Sequence, residues 1–358
     1  MVHALLDLFT KIQGREMQKK RITIKDIARD CGVSLSTVSL VLNNNPRISE
    51  STRQKVLECV RKHGYQPNYQ ARGLASRSSR IFAVAVPALH HVFADIYFGE
   101  IVSGIYERAA EDGYKIMLDI ANGNYVDNKE YLNLLKSRRA DGLLFIGSSI
   151  EHEYLCEFEH EPYPFLLVNH YFPGRSLNYI TVNYEESARL ACEHLLSLGH
   201  RKIGLITGLN TYTGRDFRDA FLDNGRKNGI NEKDLVQIGG GDMWDQEGGY
   251  NAARKLLDQH PDVTAIMAGN DRMAMGAIRY IQSRGMHVPN DISVMGADNV
   301  PSSPFFTPAI TTIDHDLLTV GRLACSQLFA LFKGEITECR EVLPVSLVKR
   351  ESTGPARG

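Results

Sequence analysis

The sequence predicts a small all-α head and a larger α/β core of two lobes, joined by a linker. Two short helical patterns meet at a glycine between Ile22 and Leu42, whereas short apolar runs alternate with helical segments from Ile81 onward. Charge divides the chain at nearly the same place, because residues 15–80 hold 14 Lys+Arg against 5 Asp+Glu and residues 81–358 hold 26 against 36. At 358 residues, with 43% apolar and 23% charged residues, the chain is typical of a globular protein of several domains.

The first helical pattern begins after Thr23, whose hydroxyl can cap a helix. Ile24, Ile27 and Ala28 recur at the spacing of a core-facing stripe, and Gly32 supplies the turn that ends the pattern. Helix pairs of this kind also occur in proteins that do not bind DNA. The positive charge of this region decides between the two interpretations and favours a nucleic-acid partner.

Ser34 can cap the second helix, in which Val38, Val41 and Leu42 point inward. The side chains on or beside its open face are Leu35, Ser36, Thr37, Ser39 and Leu40. A third helix over Ile48 to His63 completes a three-helix core. We expect the second helix to lie in the major groove of DNA.

The segments TIKDIARDCGVSLSTVSLVLN, PRISESTRQKV, GYQPN and ARGL resemble the lac repressor family of bacterial transcription regulators, and the resemblance continues to near the C-terminus. It implies a repressor that binds a pseudo-palindromic operator as a homodimer. The residues expected to contact DNA are Thr23, Ser34, Leu35, Ser36, Thr37, Ser39, Leu40, Asn43, Arg47, Arg72 and Leu74. Because Leu35 and Leu40 are apolar, we expect more dependence on thymine methyl groups and phosphates than on bidentate base contacts.

The linker allows two interpretations. In the resembled family this segment is a hinge helix that orders on the operator, pairs with its dimer mate in the minor groove and inserts a leucine between base steps. Leu74 occupies that place here, and an apolar wedge of this kind kinks DNA. A plain flexible linker is the alternative, since so short a helix is marginal by itself.

The core pattern of strands apolar on both faces and separated by helices indicates parallel sheets covered on both sides. The predicted helical segments are Ile101–Glu111, Asn128–Ser137, Glu185–Leu198, Phe217–Asn228, Glu247–His260 and Arg272–Arg284. The resemblance implies the two-lobed fold of type I periplasmic binding proteins, with three crossings between the lobes. The predicted divisions are an extension at 1–20, a helix-turn-helix domain at 21–67, a hinge helix and linker at 68–80, a first lobe at 81–182 and 315–342, and a second lobe at 183–314 and 343–358. We expect the extension to be disordered or untranslated, with Met17 as an alternative start.

In open α/β sheets, ligands bind beyond the carboxyl ends of the strands, so the polar and aromatic residues that follow the apolar runs are candidates. Together with the resemblance, this rule selects Asp95, Tyr97, Phe98, Trp244, Asn270, Asp271 and Asp298. Carboxylates and amides hydrogen-bond hydroxyl groups, so the set predicts a sugar or sugar derivative as effector, with a nucleobase or nucleoside second. Asp271 and Asp298 have an alternative role as caps of a helix and a turn.

The resembled family carries an effector-binding arginine shortly before a Gly-Phe pair, and this chain departs from that pattern. Aligning the segment FRDAF places Thr213 where the arginine is expected. Arg215 is therefore the first candidate for an effector contact, and Arg218 is the reserve.

No nucleotide-binding lysine loop, GxSxG or HExxH motif occurs, and the histidines and six cysteines show no metal-ligand spacing. We therefore predict no catalytic residue, no metal and no cofactor. No apolar run approaches the length of a bilayer span and the N-terminus is a poor secretory signal, so we predict a cytoplasmic protein without a membrane partner. A sugar-binding receptor and a sugar-metabolising enzyme with a DNA-binding head are the alternatives.

Regulation is expected to follow from closing of the two lobes around the effector, which would change whether the hinge segments of a dimer can pair. The C-terminal segment SLVKRESTGPARG has no apolar heptads. We therefore expect a homodimer without a tetramerising coil.

Overall fold

The computed structural model describes residues 22–42, 45–65, 78–89, 92, 95–240 and 244–357. The chain separates into two compact units, one ending at Arg77 and one beginning at Ser78. The predicted extension at 1–20 and most of the predicted hinge and linker lie outside the described residues. So do Asn43, Arg72 and Leu74.

Within its described residues, the first unit consists of helices α1 Ile24–Cys31, α2 Leu35–Leu42 and α3 Glu50–Lys62. A capping box begins α1, because Thr23 Oγ1 accepts from the Asp26 backbone N–H while the Asp26 carboxylate accepts from that of Thr23. Gly32 ends α1 at a φ of 60°, which glycine adopts without a steric penalty. Val38 and Val56 are fully buried against α1, so one small core holds the three helices.

The second unit contains two α/β lobes. Its strands are β1 Ile81–Pro87, β2 Lys115–Ala121, β3 Gly142–Ile146, β4 Phe165–Val168, β5 Tyr179–Val182, β6 Ile203–Thr207, β7 Leu235–Gly239, β8 Ala265–Ala268, β9 Ser293–Asp298, β10 Thr311–Asp314, β11 Arg340–Leu343 and β12 Ser346–Val348. Its α-helices are α4 Ile96–Glu111, α5 Gly123–Asp127, α6 Glu130–Lys136, α7 Tyr184–Ser197, α8 Tyr212–Lys227, α9 Gln246–Gln259, α10 Asp271–Ser283 and α11 Leu317–Lys333. None of these described helices is long and apolar enough to cross a membrane.

Each lobe is built on one six-stranded sheet. The first sheet has the order β11-β5-β4-β3-β1-β2 and is parallel throughout, and the second has the order β12-β10-β9-β8-β6-β7 with β12 antiparallel to β10. The inner strands β3, β4, β6 and β8 are buried at every position. Their apolar residues therefore face helices on both sides, and the predicted fold class is confirmed.

The chain crosses between the lobes after β5, after β10 and after β11. The second crossing returns α11 to the first lobe, where it packs on α4. The two helix backbones come close because Gly104 and Gly321 have no Cβ. A Cβ at Gly104 would lie 2.1 Å from the Leu318 carbonyl oxygen, and one at Gly321 would lie 2.1 Å from the Ile101 carbonyl oxygen.

Two helices begin earlier than the sequence predicts, because polar residues cap them. The helix expected from Ile101 begins at Ile96, where the Asp95 carboxylate accepts from the Tyr97 backbone N–H at 3.1 Å. The helix expected from Phe217 begins at Tyr212, with Thr211 as its cap. Each extension adds a helical turn beside the carboxyl ends of the strands, and this decides which side chains face the space between the lobes.

Candidate functional site

The exposed surface of α2 carries small polar and apolar side chains, and the helix contains no charged residue. Leu35 is 46% exposed and Leu40 is 37% exposed, and Ser36 is also exposed. The Ser34 hydroxyl accepts from the Thr37 backbone N–H at 3.1 Å, so Ser34 is occupied in fixing the first turn. The structure thus presents two leucines and a row of hydroxyls on one surface of the head.

Thr23, Ser39 and Arg47 are the other predicted DNA contacts within the described residues. Thr23 caps α1, Ser39 is half-buried on α2, and Arg47 is exposed in the loop before α3. Arg53 is partly committed within the head, since its guanidinium donates to the Asn45 carbonyl oxygen at 2.8 Å. Contact between these residues and DNA remains a prediction.

A cavity of about 390 Å³ lies between the two lobes, at the carboxyl ends of the strands in both sheets. This volume falls within the range of roughly 300–1,000 Å³ that is common for small-molecule sites. Six of the nine predicted effector residues line it, namely Asp95, Tyr97, Phe98, Trp244, Asn270 and Asp298. Asp271, Arg215 and Arg218 do not.

Trp244 and Asn270 form a connected part of the second-lobe wall. The Trp244 indole N–H donates to Asn210 Oδ1 at 3.0 Å, and the Asn270 amide donates to the Trp244 carbonyl oxygen at 2.9 Å. Asn270 Oδ1 in turn accepts from the Met273 backbone N–H and caps α10. Trp244 is therefore held at the cavity by hydrogen bonds at both its indole ring and its backbone carbonyl. Its φ is 50°, a value that is uncommon for a residue other than glycine.

Asp298 ends β9 on the same wall and is held by a histidine. His315 Nδ1 donates to Asp298 Oδ1 at 2.9 Å, and His315 Nε2 lies 3.1 Å from the Ser187 hydroxyl. Both Asp298 and His315 are almost fully buried and line the cavity. The second carboxylate oxygen of Asp298 makes no hydrogen bond within the described part of the chain.

Asp271 is a correction to the prediction, because it points away from the cavity. Its carboxylate is fully buried behind the wall and accepts from the Ser303 hydroxyl at 2.5 Å, the Thr312 hydroxyl at 2.6 Å and the Val300 backbone N–H at 3.0 Å. Burial raises the pKa of Asp271 to about 7. The group ties α10 to the segment after β9 and to β10, and the helix cap suggested for it belongs to Asn270.

Asp95, Tyr97 and Phe98 form the start of α4 on the first-lobe wall. Asp95 makes an ion pair with Arg272 of the second lobe, and burial raises the pKa of Asp95 against the opposite effect of that guanidinium. The rings of Tyr97 and Phe98 meet edge to face, with centroids 5.2 Å apart. Burial raises the pKa of the Tyr97 hydroxyl, so it stays neutral and can donate a hydrogen bond.

The predicted arginine is the second correction. Because α8 begins at Tyr212, its first turn presents Thr213 and Gly214 to the cavity and turns Arg215 outward. The Arg215 guanidinium donates to the Leu209 carbonyl oxygen at 3.0 Å, and Arg218 pairs with its neighbour Asp219.

The sequence analysis missed several polar residues that line the cavity, including Ser148, His152, Asn169, Tyr184 and Thr213. Ser148 follows β3 and Asn169 follows β4, so the rule of strand ends would have found both. Among the described residues, the Ser148 hydroxyl and both amide atoms of Asn169 are buried without a hydrogen bond of good geometry. Asn169 lies near the Tyr97 hydroxyl, whose pKa it lowers slightly against the larger effect of burial.

Comparison with known proteins agrees with this division of the chain. Residues 23–68 match the model for bacterial regulatory proteins of the lacI family, and residues 192–353 match that for a periplasmic binding protein-like domain. The fold and these matches define a DNA-binding transcription regulator built on a periplasmic-binding-protein-like core. Catabolite control protein A of Priestia megaterium is 32% identical over 339 residues, which cover 93% of this chain and 99% of that protein. The chain belongs to the lacI family, as its sequence predicts.

Two solved structures extend the comparison. The lac repressor dimer bound to operator and the anti-inducer ONPF matches 94% of this chain and 100% of its own, with a TM-score of 0.83 and 30% identity. The complex of the transcriptional regulator CelR with cellobiose matches 93% and 100%, with a TM-score of 0.69 and 25% identity. The HTH-type transcriptional repressor CytR of Escherichia coli is 30% identical over 339 residues, covering 94% of this chain and 97% of that protein.

Proposed function

We propose that the protein is a homodimeric, cytoplasmic repressor that binds a pseudo-palindromic operator and is controlled by a sugar or sugar derivative in the cleft between its lobes. The observation that carries the proposal is a ligand-sized cavity, lined by Trp244 and polar strand-end residues, on the same chain as a helix-turn-helix head. The operator-bound lac repressor dimer supports the homodimer and the operator, and the CelR complex with cellobiose supports a sugar.

The surface of α2 sets how the operator would be read. With no charged side chain on that helix, its apolar groups contact thymine methyl groups, its hydroxyls contact base edges, and basic residues elsewhere in the head contact phosphates. Binding to phosphates releases counterions, so operator affinity falls steeply as salt is raised.

The test begins with selection of duplexes from a random-sequence pool by the full-length protein. We expect a pseudo-palindromic sequence to be enriched, with two half-sites related by the symmetry of a dimer. Absence of enrichment, or selection of a sequence without inverted symmetry, would contradict the proposal.

Leu40→Ala, measured by fluorescence anisotropy on the selected duplex, then tests the role of α2. We expect at least about a fivefold loss of affinity, equivalent to ~1 kcal/mol. Leu209→Ala is the matched control, because Leu209 is 38% exposed and Leu40 is 37% exposed, yet Leu209 belongs to the core. Equal effects of the two substitutions would exclude base contact by Leu40.

A further inference from the structure

The charged side chains around the cleft restrict the chemical class of the ligand more than membership of the lacI family does. Three acidic side chains line the cavity, those of Asp95, Glu151 and Asp298, and no lysine or arginine lines it among the described residues. Arg272 lies beside the lining residue Asp95, but its guanidinium is paired with that carboxylate and also donates to Gln246 Oε1 at 3.3 Å. Among the described residues, no lysine or arginine is therefore available to an anionic ligand in the cleft.

The histidine on the first-lobe wall, His152, adds no positive charge. His152 accepts a hydrogen bond from the Ser149 backbone N–H at 2.7 Å through Nδ1, and burial lowers the pKa of its imidazole, which stays neutral. His315 faces Asp298, and the negative charge of Asp298 raises the pKa values of the nearby Tyr97 and Tyr184 hydroxyls. Among the described residues, the cavity lining therefore holds carboxylates but no lysine or arginine, which disfavours a bound phosphate or carboxylate.

The hydrogen-bonding groups without partners point in the same direction. Asn169 Oδ1 and the second carboxylate oxygen of Asp298 can only accept, Asn169 Nδ2 can only donate, and the Ser148 hydroxyl can do both. A ligand hydroxyl offers one donor and two acceptor sites, so it satisfies groups of both kinds. A phosphate dianion can only accept, and it would leave the acceptors of the cleft buried without a donor.

Resting on the proposed function, we propose that the cleft binds an uncharged polyhydroxylated ligand and rejects its phosphorylated or carboxylate-bearing derivatives. The indole of Trp244 and the rings of Tyr97 and Phe98 supply an apolar surface, while Ser148, Asn169 and Asp298 exchange hydrogen bonds with hydroxyls.

Matched sets of neutral and anionic compounds test this selectivity through the fluorescence of Trp244, the single tryptophan of the chain. The full-length protein is titrated with glucose, galactose, cellobiose and adenosine, and with glucose 6-phosphate, glucuronate, galactose 6-phosphate, galacturonate, cellobiose 6-phosphate and adenosine monophosphate. We expect a saturable change with at least one neutral sugar, and at least about 100-fold weaker binding of its anionic derivative, since like charges at a site cost several kcal/mol. An anion that binds as tightly as its parent, or a panel in which no neutral sugar binds, would overturn the proposal.

The substitution Thr213→Arg gives a second test at a lining position that is 5% exposed. It should raise the ratio of anion affinity to neutral-sugar affinity by at least tenfold, whereas Thr213→Val, which keeps size and adds no charge, should leave that ratio unchanged. An unchanged ratio in both variants would mean that the charge of the wall does not set the selectivity. Binding to the selected operator is measured on the same samples. Loss of operator binding would count against the proposed function, whereas an unexpected ratio of anion affinity to neutral-sugar affinity with operator binding intact would count against this inference alone.

Discussion

The two walls of the cleft differ in how their polar groups are satisfied. On the second-lobe wall, Asn270, Trp244 and one of the two carboxylate oxygens of Asp298 are held by hydrogen bonds to protein groups. On the first-lobe wall, the described partners leave Ser148 and Asn169 buried without hydrogen bonds of good geometry. An unsatisfied buried polar group costs about 1–3 kcal/mol, so a protein keeps such groups chiefly where a ligand or an ordered water completes them. The second lobe thus presents a wall fixed in advance, and the first lobe presents groups that await a ligand.

The largest effect is expected behind the fixed wall. Asp271→Ala removes the acceptor of three buried donors, from Val300, Ser303 and Thr312, and should lower the free energy of unfolding by at least about 3 kcal/mol. Urea denaturation of the full chain, followed by the fluorescence of Trp244, measures the loss in the second lobe. The control is Asp219→Ala in the same lobe, where an exposed carboxylate paired with Arg218 contributes no more than about 1 kcal/mol. Equal losses would show that the Asp271 network does not stabilise the wall.

The pH dependence of stability should reveal the same carboxyl. Burial raises the pKa of Asp271 to about 7, above the value of 3.8 that an exposed aspartate has. Between these values the folded state holds a proton that the unfolded state has lost, so the contribution of this group is full below about pH 4 and disappears as the pH rises through 7. The difference in the free energy of unfolding between the wild-type protein and Asp271→Asn should therefore decrease from pH 4 to pH 8. A difference that is constant or increases would contradict the raised pKa.

Two buried serines give the sharpest comparison of the walls. Ser303 donates to Asp271, and Ser303→Ala should lower the free energy of unfolding by about 1–3 kcal/mol. Ser148 is equally buried but makes no hydrogen bond within the described residues, so Ser148→Ala should change stability by less than about 0.5 kcal/mol. Its effect should appear instead as weaker binding of the neutral sugar identified by titration. If Ser148→Ala destabilises the protein as much as Ser303→Ala, the two walls do not differ as proposed.

The alternation of apolar runs and helices was sufficient to predict the fold, because strands covered on both faces leave few other arrangements. Together with the resemblance, the rule of strand ends found Trp244, Asn270 and Asp298 of the second-lobe wall. It could not separate Asn270 from Asp271, because two adjacent polar residues at the start of a helix point in different directions, and their sequence does not show which one faces the ligand. Ser148 and Asn169 followed strands as well, but nothing in their sequence shows that they lack partners.

The arginine prediction depended on where α8 begins. The sequence predicts that this helix begins at Phe217, which leaves Arg215 in the segment before it. In the structure, the cap at Thr211 starts the helix five residues earlier than expected, and the helical turn directs Thr213 inward and Arg215 outward. An error of little more than one turn in a helix start is therefore enough to exchange the residues that face a site.

The smallest effect is expected at the seam where the walls meet outside the cavity. Tyr171 of the first lobe donates to Asp216 Oδ2 of the second at 2.6 Å, and the Ile150 backbone N–H donates to the Asn210 carbonyl oxygen at 2.9 Å. Because Tyr171 and Asp216 are both half-buried, water replaces much of the lost hydrogen bond in Tyr171→Phe, and the closed arrangement should lose about 0.5–1 kcal/mol. Hydrogen exchange at the Ile150 amide should then become about two- to fivefold faster, since this amide opens when the lobes separate.

Tyr280→Phe is the matched control for this last measurement, because Tyr280 donates to Asp258 within the second lobe and does not cross the seam. Exchange at Ile150 should be unchanged in that variant. If both variants accelerate exchange equally, opening at Ile150 reflects general loosening of the core and not separation of the walls. If only Tyr171→Phe does so, contacts such as that between Tyr171 and Asp216 hold the two walls together, and each of them contributes little. Binding of the ligand can then supply the remaining free energy of closure.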